Sequence, residues 1–139
     1  MGEYDDIEHV NQDISFQKEV KKELGDELRN FFPHGHPAFI ELTLRELDLH
    51  SRKNHDYAGG GSPLGNFQRV TQILSLYPNL KLSDPPTVAI VYLLKQLDAT
   101  LNMLSQGYEG QVEGHTERWQ DISVYSKIIS ILVEESQKK

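Results

Sequence analysis

Apolar residues recur at three- and four-residue spacing along most of the chain, and that period predicts helices rather than strands. From Asp13 the stripe Phe16, Val20, Leu24 and Leu28 runs on to Phe31 and Phe32. Its apolar face is thin, so this helix is expected on the outside of the fold, weakened in the middle by Gly25. Pro33-His34-Gly35-His36-Pro37 breaks it. A second helix is predicted from about Ala38 to Asn54, with Phe39, Leu42, Leu44, Leu47 and Leu49 on its apolar side. His55 to Asn66 reads as a loop, because Gly59, Gly60, Gly61, Pro63 and Gly65 sustain neither a helix nor a central strand. Phe67 to Tyr77 returns to helical spacing, and Pro78 ends it. Ser83-Asp84-Pro85-Pro86 is a helix start, since Ser or Asp caps and proline fits the first turn. Thr87 to Ser105 follows as the most apolar helix, and Gly107 and Gly110 mark the next loop. The last helix is predicted from about His115 to Glu135, with Trp119, Ile122, Tyr125, Ile128, Ile129 and Leu132 facing inward.

No β alternation competes with this pattern. The expected fold is all-α: a four- to five-helix bundle forming a single helical domain over residues 13–139, with its core in 38–135 and a loose acidic N-terminus over 1–12. A chain of 139 residues suits one domain and can bury a core without staples. It has no cysteine, which excludes disulfides, thiolate metal sites and a cysteine nucleophile. The formal charge of −7 argues against broad binding to nucleic-acid backbone. The acidic start lacks the apolar core of a signal peptide, and the longest apolar run, Thr87 to Leu94, is far short of a membrane span. These features lead to the expectation of a cytoplasmic protein with no membrane partner. A bundle of short helices with apolar surface to cover is expected to pair symmetrically, as a homodimer or homotetramer.

The chemistry lies in polar residues on or beside the apolar stripes. Glu46, His50 and Lys53 share one helix face, with Asp56 and Tyr57 just beyond. Lys95 and Asp98 interrupt a segment that otherwise reads as core, so they form a structural ion pair or face a ligand. Glu117 and Asp121 stand one turn apart, with Tyr125 a turn further on. Two such carboxylates suit a hard cation, magnesium or manganese, although a solvated acidic patch at a helix N-terminus has the same pattern.

The spacing Glu46-x3-His50-x2-Lys53-x2-Asp56-Tyr57, then Pro63-Leu64-x-Asn66-Phe67, then Lys95-x2-Asp98, then Glu117-x3-Asp121-x3-Tyr125 resembles small phage and bacterial proteins of the MazG-like, all-α nucleotide pyrophosphohydrolases and the related nucleotide-modification-associated domains. The resemblance covers about residues 39–135. It implies an oligomeric helical bundle that cleaves a nucleoside triphosphate to the monophosphate and pyrophosphate. By position it implies Glu46, Asp98, Glu117 and Asp121 as ligands of Mg2+ or Mn2+, with Glu46 also the candidate base. Lys53 and Lys95 would meet phosphates. His50, Asp56, Tyr57, Asn66, Arg69 and Tyr125 would bind the nucleotide or shape the pocket mouth. Two departures stand out. The first carboxylate helix offers Glu41, Glu46 and Asp48 in place of a doubled glutamate with a third a turn later, and the last has Glu and Asp spaced by four rather than three. Fewer carboxylates weaken metal binding, so a second reading is a protein that captures a nucleotide without hydrolysing it, through Lys53, Lys95, Arg69 and the glycine loop. Lesser readings are an HD-type phosphohydrolase built on His55-Asp56, a His34/His36 chelate, and a purely structural helical protein. Gly59-Gly60-Gly61 lacks the Lys-Ser/Thr of a P-loop.

Overall fold

The computed structural model describes the backbone of residues 3–139 and the side chains from residue 15 onward. The described chain is all-α. It contains α1 (Glu3–Phe31), α2 (Ala38–Ala58), α3 (Gly65–Ser75), α4 (Pro85–Gln106) and α5 (His115–Gln137), and no strand among the described residues. Helix α1 begins at Glu3 rather than near Asp13. Residues 3–12 contain neither glycine nor proline, and their acidic side chains suit the positive end of a helix dipole. The expectation of a loose segment over residues 1–12 is corrected accordingly for residues 3–12.

Contacts divide the chain into two compact units, one ending at Leu49 and one running from His50 to Lys139. In the first, Gly25 is buried. A Cβ added there would meet the Leu44 side chain at 3.5 Å, so Gly25 sits where α1 and α2 approach. That is ordinary van der Waals contact, so packing does not require a glycine there and the helix-propensity loss expected from the sequence stands. Lys21 Nζ reaches Asp48 Oδ1 at 3.3 Å across the same pair of helices. Phe16, Val20, Leu24, Phe39, Leu42, Leu47 and Leu49 all remain exposed.

In the second unit α2 continues four residues past the predicted end, to Ala58. Gly59 then turns the chain at φ +55, where a Cβ would run into the Tyr108 ring. Helix α4 starts as the sequence predicts, with Asp84 extended at the N-cap and proline in the first turn, but the Asp84 side chain makes no capping bond. Gly107, at φ +70, closes it in the left-handed region. Helices α4 and α5 run antiparallel: Tyr92 meets Tyr125, and Gln96 meets Asp121. The core is small and centred on α4, where Ala89, Ala99 and Met103 are buried together with Ala58 and Val70. Of the predicted inner face of α5, Ile122, Tyr125, Ile129 and Leu132 are half-buried, whereas Trp119 and Ile128 are exposed.

No helix among the described residues is long and apolar enough to cross a membrane.

Candidate functional site

Three polar clusters in the second unit are tied together by α4. The first joins α3 to α4. Asp98 is nearly buried, and Arg69 grips it from Nε to Oδ1 at 2.7 Å and from its second nitrogen to Oδ2 at 2.8 Å. Asn66, buried in the first turn of α3, donates a third bond to Oδ2 at 2.8 Å. This forked geometry is the strong form of a carboxylate pair. The Asp98 hydrogen bond, opposed by burial, raises the Arg69 pKa above its ordinary value. Lys95 and Asp98 are therefore not a pair with each other.

The second cluster surrounds Asp56, which is fully buried at the end of α2. Its carboxylate accepts the backbone N–H groups of Gln111, Val112 and Glu113. His55 Nδ1 lies 3.4 Å from Oδ1, and Arg118 lies 3.7 Å from Oδ2. Burial pushes the Asp56 pKa up, but the donors of residues 113, 111 and 112, with His55, outweigh it and hold the carboxyl below the usual range. Tyr108 braces the same corner. Its hydroxyl donates to the Asp56 carbonyl at 2.9 Å and accepts from Asn102, which also reaches the Tyr57 carbonyl. Burial raises the Tyr108 pKa.

The third cluster lies across α4 and α5. Arg118 is 1% exposed. It donates to Gln96 Oε1 at 2.7 Å, and Gln96 Nε2 donates on to Asp121 Oδ2 at 3.1 Å. Glu113 flanks Arg118 at 3.5 Å. The Tyr57 ring carries two cations, Arg118 at 4.8 Å and the exposed Lys95 at 5.2 Å from its centroid. Lys95, Tyr57, Gln96 and Asp121 thus meet through one chain of contacts, with Asp121 half-buried and its Oδ1 not used by that chain.

The sequence reading placed Asn66, Arg69, Asp98, Tyr57, Lys95 and Asp121 around one nucleotide; the structure divides them, joining Asn66, Arg69 and Asp98 by direct contacts and Tyr57, Lys95 and Asp121 through a relay. Of the expected four-carboxylate metal set, Glu46 lies in the first unit and Asp98, Glu117 and Asp121 in the second. Glu46 is exposed in the first unit, and Asp98 is enclosed by Arg69 and Asn66. Glu117 is exposed and lies over Gly114, where a Cβ would stand 2.9 Å from its Oε2. No group of three or more acidic or imidazole side chains is arranged to hold a metal among the described residues. Glu117 and Asp121 stand one turn apart on α5. His50 is exposed, Lys53 is half-buried one turn before Tyr57, and Tyr125 packs edge-on against Tyr92 at 6.1 Å, below Asp121. Asp56 is a loop anchor, with its oxygens filled by its own chain, which leaves the HD-type reading of His55-Asp56 without a free carboxylate. His36 Nδ1 accepts the Ala38 N–H at the start of α2, so one of the two nitrogens needed for a His34/His36 chelate is engaged.

Arg118 and Gln96 were missed. Arg118 stands in register with Ile122, Tyr125 and Ile129, so it is a charge on an apolar stripe, the same signal that singled out Lys95 and Asp98.

The chain matches no protein-family model, no curated protein and no solved structure.

Proposed function

We propose that the second unit binds a nucleoside triphosphate at the Lys95–Tyr57–Asp121 face and hydrolyses it to the monophosphate and pyrophosphate, with Mg2+ or Mn2+. The observation that carries the reading is the relay Arg118–Gln96–Asp121, which fixes one oxygen of a half-buried carboxylate and is joined through the Tyr57 ring to the exposed Lys95. Supporting shells of this kind orient groups that bind a charged ligand.

Asp121, with Glu117 a turn before it, would hold the ion; when bound, it neutralises phosphate charge and lowers the pKa of the attacking water. Gln96 holds Asp121 by Oδ2 and leaves Oδ1 out of the relay. Arg118 fixes the Gln96 amide in the orientation that presents its N–H groups to Asp121. Lys95 offers an ammonium steered by the Tyr57 ring, and offsets charge on the departing pyrophosphate. Lys53 stands a turn before Tyr57 on α2 and is the second lysine assigned to the phosphates.

The alternative, capture of a nucleotide without turnover, draws support from Asp98. Its enclosure by Arg69 and Asn66 leaves only the α5 carboxylates for a cation. One experiment separates the two: pyrophosphate release from a panel of triphosphates with and without Mg2+ or Mn2+, alongside calorimetric binding, on wild type, Asp121→Asn and Lys95→Gln. Hydrolysis predicts metal-dependent release that falls more than about 100-fold in Asp121→Asn and about 10- to 100-fold in Lys95→Gln, with the fold intact by circular dichroism. Saturable binding without product moves the conclusion to capture. Neither binding nor release across the panel rejects both.

A further inference from the structure

The last four carbonyls of an α-helix find no partner within it. In α2 they belong to His55, Asp56, Tyr57 and Ala58. The following turn satisfies two of them. The Gly59 N–H donates to the His55 carbonyl at 2.9 Å, and the Gly61 N–H donates to the Ala58 carbonyl at 2.8 Å. The two carbonyls between them take side chains from far along the chain. The Tyr108 hydroxyl donates to the Asp56 carbonyl, and Asn102 Nδ2 donates to the Tyr57 carbonyl at 3.2 Å. Asn102 also donates to the Tyr108 hydroxyl at 3.0 Å, which ties the two caps together. The Tyr108 ring meets the His55 ring edge-on at 5.4 Å and lies where a Gly59 Cβ would stand. One bracket, built from the end of α4 and the residue after Gly107, thus holds the last turn of α2.

That turn carries Tyr57, whose ring meets the Lys95 ammonium at 5.2 Å and the Arg118 guanidinium at 4.8 Å. Arg118 is also fixed by Gln96 and by the carboxylates of Asp56 and Glu113. Lys95 is exposed, and an exposed lysine spreads over many rotamers unless a partner holds it. Its partner is the Tyr57 ring. We infer that Asn102 and Tyr108 are positioning residues: by capping the end of α2 they hold the Tyr57 ring, and through the ring they hold Lys95. Lys95 and Asn102 stand two turns apart on α4, so the lysine and the bracket that places its ring share one helix. The use of Lys95 toward phosphate rests on the proposed reaction; the bracket and its hold on the ring do not.

The test is amide exchange and side-chain NMR of the ligand-free chain, on wild type, Tyr108→Phe, Asn102→Leu and Tyr57→Leu, with circular dichroism as the fold control. Tyr108→Phe keeps the ring beside His55 and removes only the hydroxyl, and Asn102→Leu keeps the volume and removes the donor. In wild type the Lys95 ε-methylene signals are expected upfield, and Tyr57→Leu, which removes the ring, defines their unshifted position. Each bracket variant is expected to speed exchange of the Gly59 and Gly61 amides by about 5- to 10-fold, and to move the Lys95 signals at least about halfway to that position. Pyrophosphate release adds a readout that a purely structural cap would not move. In both variants kcat is expected to fall about 5-fold or more while KM changes less than about twofold, because the lysine acts on charge that develops in the transition state. Folded variants whose Lys95 signals stay at the wild-type position overturn the inference, whether or not the amides exchange faster. So does a wild-type Lys95 signal that Tyr57→Leu leaves unmoved, or an active chain whose kcat neither variant lowers. A wild type that releases no pyrophosphate rejects the proposed reaction alone, and the Lys95 signals then decide the positioning.

Discussion

Replacing Asp56 by alanine removes the acceptor that holds the 111–113 turn and one of the two carboxylates beside a buried arginine. Three backbone N–H groups lose their partner, but Gln111 and Val112 are exposed, so water takes over part of that loss. Arg118 has no such escape at 1% exposure, and keeps Glu113 at 3.5 Å, Gln96 and the Tyr57 ring. Breaking a buried pair from one side costs about 3–5 kcal/mol, and the remaining partners of Arg118 bring the expectation to the lower end, about 3 kcal/mol. Asp56→Asn keeps the volume and one acceptor, so it is expected to lose roughly half as much. The assay is urea unfolding followed by the fluorescence of Trp119, the only tryptophan, which adjoins Arg118 on α5 and so reports on the second unit. A loss under about 1 kcal/mol for Asp56→Ala, at an unchanged denaturant slope, would refute the assignment of Asp56 as the anchor of this unit.

The same carboxylate predicts a pH dependence. Because its folded pKa lies below the ordinary 3.8, its contribution is complete above that value and is lost as pH falls through the lower folded one. Wild type is therefore expected to lose stability in acid below about pH 4, with a shallower decline in Asp56→Asn, read as urea midpoint against pH. Gly59→Ala adds a Cβ at positive φ against the Tyr108 ring, and is expected to cost about 2 kcal/mol or more by the same unfolding assay. Thr100 has a buried hydroxyl without a hydrogen-bond partner, so Thr100→Val is expected to be neutral or to stabilise by up to about 1 kcal/mol, seen as an unchanged or raised melting temperature. A marked destabilisation by Thr100→Val would mean that the hydroxyl has a partner after all.

Much of the architecture was legible along the chain. Proline at 85 and 86 opened α4 and Gly107 closed it, because each acts through its own backbone. Helix spacing, too, is set within four residues, so five helices followed from local pattern alone. The extra residues on α2, up to Ala58, were hidden by a glycine run that reads as loop. Their helical state depends on Asp56 and Tyr57 being held by α5, the turn before it and the end of α4, more than forty residues away. The site was half legible. Charges on apolar stripes marked Lys95 and Asp98, yet their spacing suggested a pair, and the structure gives Asp98 to Arg69 and Lys95 to the Tyr57 ring. Likewise, Asp56 read as a ligand-binding carboxylate and proved to be an anchor. The sequence by itself determined that the chain is helical, where most of its breaks fall, and that Lys95 and Asp98 lie on an apolar stripe. Only the tertiary structure decided which charge met which, since a buried carboxylate takes the nearest donors the packed helices bring to it, and those donors come from residues 29 to 62 positions apart in the chain.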